Sequence, residues 1–139
     1  MFTEQELYSR YDIQLENYYK VIDIEAHTMD AMVKKNIMAA ANEYQYSLAK
    51  TLNAKAATGL NVDSSVEKKH LERAAELTSQ MDTRLVKLEE DINKAEELTE
   101  TYDLAKFHHD VIFADMNKLR EVVDELETVV PHDIWPYPT

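Results

Sequence analysis

The residues of this chain that could do chemistry are few and poorly placed for it. Glu67 and His70 stand three apart, the carboxylate–imidazole spacing that binds iron in di-iron helical bundles. Such a centre needs two of these pairs and two further carboxylates, and no second Glu-x-x-His occurs. Glu67 has a simpler use in a helix cap, and His70 falls on an apolar stripe. His108-His109-Asp110 gathers ligand types, but neighbouring helical residues point about 100° apart, so the two imidazoles do not face one ion. His27 and His132 have no suitable neighbours in sequence. Lys68-Lys69-His70 places a histidine among basic residues, as a phosphorelay bundle does, but no glycine is near. The five serines lack a nucleophile elbow, and there is no glycine-rich phosphate loop. No catalytic, cofactor-binding or metal-binding residue is assigned, and no cofactor is expected in this chain.

The elements that would position a site are long helices. One glycine in 139 residues leaves few places for a sharp turn. No proline or glycine interrupts the chain before Gly59. A first helix is expected over about 4–58, opened by a Thr3-x-x-Glu6 capping box. Its apolar positions, from Tyr8 to Leu52, recur at a mean spacing of about 3.7, the period of a nearly straight helix. Gly59-Leu60 suits a left-handed cap with an apolar contact. A second helix, about 64–98, opens with Ser64-x-x-Glu67 and carries a stripe from Val66 and His70 through Leu77, Leu85 and Leu88 to Ala95. Thr99 and Thr101 offer caps for a third, about 102–130, which Pro131 ends. Its core-facing candidates run from Leu104 to Val130. A tail, 131–139, holds the single Trp and all three prolines. No strand pattern appears. The expected fold is all-α, an up-down-up antiparallel three-helix bundle with a very long first helix, in one domain.

The helix lengths do not match. At ~1.5 Å per residue the first is roughly 80 Å long and the others about 50 and 45 Å. Packing from the Gly59 turn therefore leaves about residues 4–22 beyond their partners. That piece keeps an apolar stripe, with Tyr8, Tyr11, Leu15, Tyr18, Tyr19 and Ile22, and holds four of the eight tyrosines. Tyrosine at this density suits an interface, since the ring buries while the hydroxyl stays wet. The competing reading is a kink near 23–26 that folds the piece back. The tail is the second interface candidate, with Trp135 and Tyr137 as aromatic anchors. An isolated copy is expected to cover the stripe by self-association. A net charge of −12 argues against nucleic acid, and no apolar run approaches the ~18 residues of a membrane span. The absence of cysteine fits a reducing compartment.

Several segments together carry a family likeness. They are Glu4-x-Glu6-Leu7-Tyr8-Ser9-Arg10-Tyr11-Asp12-Ile13 with Leu15-Glu16 and Tyr19, then Ile24-Glu25-Ala26, then Asn36-Ile37 to Tyr44-Gln45. The strongest runs from Leu119-Arg120 through Asp124-Glu125-Leu126-Glu127 to Ile134-Trp135-Pro136. On these the chain resembles, over essentially its whole length, the C-terminal helical region of type III glutamine synthetases. That family often has a proline in mid-helix where this sequence reads Ile37-Met38-Ala39-Ala40, so the residue that would kink the helix near 38 is absent. Its tail continues with a Tyr and a Leu-Leu-Phe, whereas this chain stops at Pro138-Thr139. Met1 then reads as a start added to a domain excised from a larger enzyme.

The resemblance implies a parent enzyme that joins ammonia to glutamate with ATP and Mg or Mn, in large double-ring oligomers in the cytoplasm. Its catalytic motifs lie upstream and none occurs here, so no catalytic residue carries over. The expected role is a non-catalytic accessory and assembly domain. Its expected partners are the catalytic domain of the same polypeptide and neighbouring subunits of the ring. The alternative is a free-standing coiled-coil interaction module, and a third class is a metalloenzyme on a ferritin-like bundle.

Overall fold

A computed structural model describes residues 3–138. Met1, read as an added start, and Thr139, the last residue assigned to the tail, lie outside the described residues. Helix α1 runs without a break over 4–57, as Glu4–Met32, a π-helical turn Val33–Ile37 and Met38–Ala57. Helix α2 is Ser65–Glu96. Helix α3 covers 101–129, as Thr101–Phe107, a π-helical turn His108–Ile112 and Phe113–Val129. Cross-helix bonds give the directions. Lys34–Glu89 at 3.0 Å, Gln45–Thr78 at 3.0 Å and Lys55–Glu67 at 2.7 Å set α2 antiparallel to α1. Arg73–Glu125 at 2.6 Å and the bond from Arg84 to the Lys118 carbonyl set α3 antiparallel to α2. The fold is the expected all-α bundle of three helices, and no strand occurs among the described residues.

One core joins all three helices. Ile22, Ala26, Val33, Ile37 and Tyr44 of α1 meet Leu77, Met81, Leu85, Leu88 and Ile92 of α2. Ile112, Met116, Leu119, Val122 and Leu126 of α3 complete it. Each fully buried Val, Leu, Ile or Met among them contributes about 1.5–3 kcal/mol by leaving water. Both π-helical turns fall where buried positions step by four twice running, at Val33, Ile37 and Ala41 and at His108, Ile112 and Met116. Steps of four overshoot a 3.6-residue turn by about 40° each. At these two places a wider turn takes up the excess, whereas α2 stays regular through the same spacing at Leu77, Met81 and Leu85. The helix thus adjusts near 33–37 without a proline.

The helix ends differ in how they are satisfied. Thr3 and Glu6 form the reciprocal capping box, with the Glu6 amide 3.2 Å from Thr3 Oγ1. Gly59 adopts φ +75°, which costs a glycine nothing, and closes α1. Leu60, expected to make an apolar contact beside this cap, is largely exposed. The second capping box does not form. The Asp63 carboxylate takes the Ser65 amide at 3.0 Å, and Glu67 turns instead to Lys55, its charge partner across the turn. Neither Thr99 nor Thr101 caps α3, whose N-cap is Glu100 without a side-chain bond. Val66 and His70, placed on the core stripe by their spacing, are exposed. For Val66 the reason is that α3 ends at Val129, about one turn past its Arg73 contact, so the first turn of α2 has only α1 beside it.

Candidate interface

Helix α1 stays helical through 23–26, so the fold-back reading is excluded. Its N-terminal part projects, but the free length is shorter than the mismatch implies. Residues 3–14 are exposed throughout, whereas Leu15 and Tyr19 are half-buried and Ile22 lies in the core. The turn 97–100 makes the difference. Its few residues carry the chain by up to ~3.3 Å each, so α3 begins beyond the end of α2 and climbs alongside 15–22. Tyr18 stacks at a tilt on His109, with ring centroids 6.1 Å apart, and Tyr19 on His108 at 5.4 Å. His108 is buried, with Nδ1 2.7 Å from the Leu104 carbonyl and Nε2 3.4 Å from Asp23. Its neighbour His109 is exposed and meets Asp110 at 2.8 Å. The two imidazoles point apart, as helical spacing requires.

The remaining projection offers one face. Leu7 (54% exposed), Tyr8 (65%) and Tyr11 (52%) continue the line of Leu15, Tyr18 and Ile22, so the face that α3 covers lower down runs on into solvent. Leu7, Tyr8 and Tyr11 with Glu4 form a shallow hollow. Acidic Glu4, Glu6, Asp12 and Glu16 lie along this stretch, with Glu16 paired to Lys20. Burying these three side chains on a partner would remove a contiguous apolar face from water.

Of the sequence-assigned interface residues, the structure brings Tyr8, Tyr11, Leu15, Tyr18 and Tyr19 onto one line. The other three are covered by the bundle itself. Ile22 is core. Trp135 is 8% exposed and packs in the same core, because the Pro131 carbonyl accepts bonds from the Ile134 and Trp135 amides, both at 3.0 Å, and turns the tail inward. Tyr137 is half-buried, and its hydroxyl accepts a 2.7 Å bond from the Asn36 amide. The tail is a clasp on its own bundle, not a free hook. The spacing rules missed a second apolar pair, Ile13 and Ile24, which are both exposed. They stand eleven residues apart, three turns of a straight helix, which was the available signal. Also missed was a groove of about 590 Å³ between α1 and α3, with Met29, Met32, Met116 and Val123 in its lining.

Among the described residues no group of three or more His, Asp or Glu side chains is arranged to hold a metal ion. Also among them, no helix is long and apolar enough to cross a membrane.

Comparison with known proteins agrees with the likeness read from the sequence. Residues 1–56 match the family described as the glutamine synthetase C-terminal domain. The whole chain is 36% identical, over 139 residues, to a glutamine synthetase of Butyrivibrio fibrisolvens. On both counts the chain is similar to the C-terminal domains of glutamine synthetases. A type-3 glutamine synthetase of Dictyostelium discoideum is 28% identical over 141 aligned positions that cover 96% of this chain. The chain spans about a fifth of the length of each relative, 20% and 19%. The family match covers all of the projecting face and both halves of α1 around the π-helical turn.

Proposed function

We propose that this chain is the non-catalytic C-terminal accessory and assembly domain of a glutamine synthetase. In this reading the longer enzyme makes glutamine from glutamate, ammonia and ATP in the cytoplasm. ATP and Mg or Mn belong to its catalytic region. The bundle holds no nucleotide, and its projection docks on the catalytic domain of the same polypeptide or on a neighbouring subunit of a ring oligomer. The observation that carries the reading is the unpartnered face of Leu7, Tyr8 and Tyr11, inside the segment that matches the family. The acidic outer faces remain in solvent, where a charge of −12 opposes unspecific association.

The test uses the longer enzyme carrying this domain. Tyr8→Glu with Tyr11→Glu is expected to reduce its assembly to smaller species in mass photometry while leaving the helical circular dichroism intact. Unchanged assembly size removes the projection as the docking face. Calorimetry of the 139-residue chain with ATP is expected to give no heat of binding, and a saturable stoichiometric signal overturns the non-catalytic assignment.

The buried Trp135 favours a second reading, because a bundle that clasps its own tail has the means to fold alone. That reading is a free-standing helical interaction module. The reading frame separates the two: a catalytic region continuous with this frame supports the first, and an independent start and stop support the second.

A further inference from the structure

Two carboxyl groups meet inside the bundle with no role in the interface above. Asp91 of α2 and Asp115 of α3 are 1% and 7% exposed, and the antiparallel register set by Arg73–Glu125 and by Arg84 on the Lys118 carbonyl brings these buried carboxyls to the same level of the helix contact. Two ionised carboxylates have no proton to donate to each other, so a bond between them requires that one be protonated. Lys87 bonds Asp91 one turn away, and Lys94 approaches it at 3.7 Å. Asp115 has no such cation in bonding distance, and its Oδ2 is buried without a partner. The other charges facing the pair are Glu90, which acts on Lys87, and Lys118 on the same helix as Asp115. From α1, Asp30 and Lys34 meet Glu89, a different carboxylate of α2. The arrangement is asymmetric: Asp91 has cations, and Asp115 has only Asp91.

We propose that Asp91 and Asp115 share a single proton across the α2–α3 contact, so that the hold of α3 on α2 is a proton-sensitive clamp. With the proton present, the Asp115 hydroxyl donates to the Asp91 carboxylate and one buried charge remains, balanced by Lys87. With it gone, two like charges face each other in a region that cannot hydrate them. The strain falls on the segment of α3 next to its π-helical turn, and α3 ends in the clasp that holds Trp135.

The electrostatics agree in direction. Burial, then the bond to Asp91 and its charge, push the Asp115 carboxyl up to about 7. Burial alone would raise Asp91 as well, but the bonds from Asp115 and Lys87 outweigh it and hold Asp91 below the usual carboxylate range. For Asp115 the folded value lies above the unfolded one of 3.8. Its stabilisation is therefore complete below about pH 4 and is lost as pH rises to about 7. Asp91 acts oppositely, its contribution being present above the ordinary carboxylate range and lost below it.

The experiment is urea unfolding of the 139-residue chain between pH 4.5 and 8, wild type against Asp115→Asn. The wild-type folding constant is expected to fall with rising pH by up to tenfold per unit up to about pH 7 and then level off. Asp115→Asn keeps a donor toward Asp91 and removes the titration, so its profile is expected to be flatter by that amount. Parallel profiles overturn the proposal. Should the variant fail to fold, ¹³C NMR of the wild-type carboxyl groups decides. One aspartate titrating near neutrality supports the clamp, and none titrating above pH 5 overturns it.

Discussion

The two ends of the chain are alike in composition and opposite in fate. The N-terminal projection and the C-terminal tail are both rich in aromatic residues, and both were expected to be free anchors. Only the projection is free. Tyr8 and Tyr11 extend past the last turn of any neighbour, whereas Trp135 is turned inward by Pro131 and seated in the core. An aromatic side chain becomes an interface residue only where the rest of the chain leaves it uncovered. Sequence reports the apolar content, and geometry reports whether a neighbour reaches it.

That contrast can be broken by substitution, and the largest effect is expected in the tail. Trp135→Ala is expected to destabilise the chain by about 3–5 kcal/mol, as loss of a large buried aromatic does. Urea unfolding checks this, and a loss below about 1 kcal/mol would make the tail a passive strand after all. Asn36→Ala removes the bond to the Tyr137 hydroxyl and is expected to cost about 0.5–1.5 kcal/mol. Its thermal midpoint should fall between those of wild type and Trp135→Ala, and a midpoint equal to wild type would place the hold of the tail in Trp135 alone. The smallest effect belongs to the projection. Tyr8→Ala with Tyr11→Ala is expected to change stability by less than about 0.5 kcal/mol at concentrations where the chain is monomeric. A larger loss would show that these rings are packed in the folded monomer.

Much of the fold was legible beforehand because it rests on local rules. The absence of proline and glycine before Gly59 demands one long helix, and the left-handed Gly59 and the Thr3–Glu6 box mark its ends. The stripe of α2 from Ala74 to Ala95 is buried as its spacing requires. Failures gather where a second element decides. Val66 has the right period, but α3 stops before reaching it. Ser64 has the right partner three residues on, but Lys55 across the turn is a stronger attraction for Glu67. Ile22 has the period of the projection, but the turn 97–100 brings α3 over it. Asp91 and Asp115 carried no signal at all, because twenty-four residues separate them in sequence and only the α2–α3 contact makes them a pair.

By itself the sequence determined that the chain is a bundle of three long helices, acidic outside, without a recognisable catalytic constellation, and akin to the C-terminal domains of glutamine synthetases. Helix period, turn residues and motif likeness are properties of short stretches, so one dimension suffices to read them. The tertiary structure alone decided which aromatic end stays exposed, how far α1 projects, and that two aspartates face each other in the core. Those outcomes depend on the relative heights of packed helices. A few turn residues shift those heights by more than a helical turn.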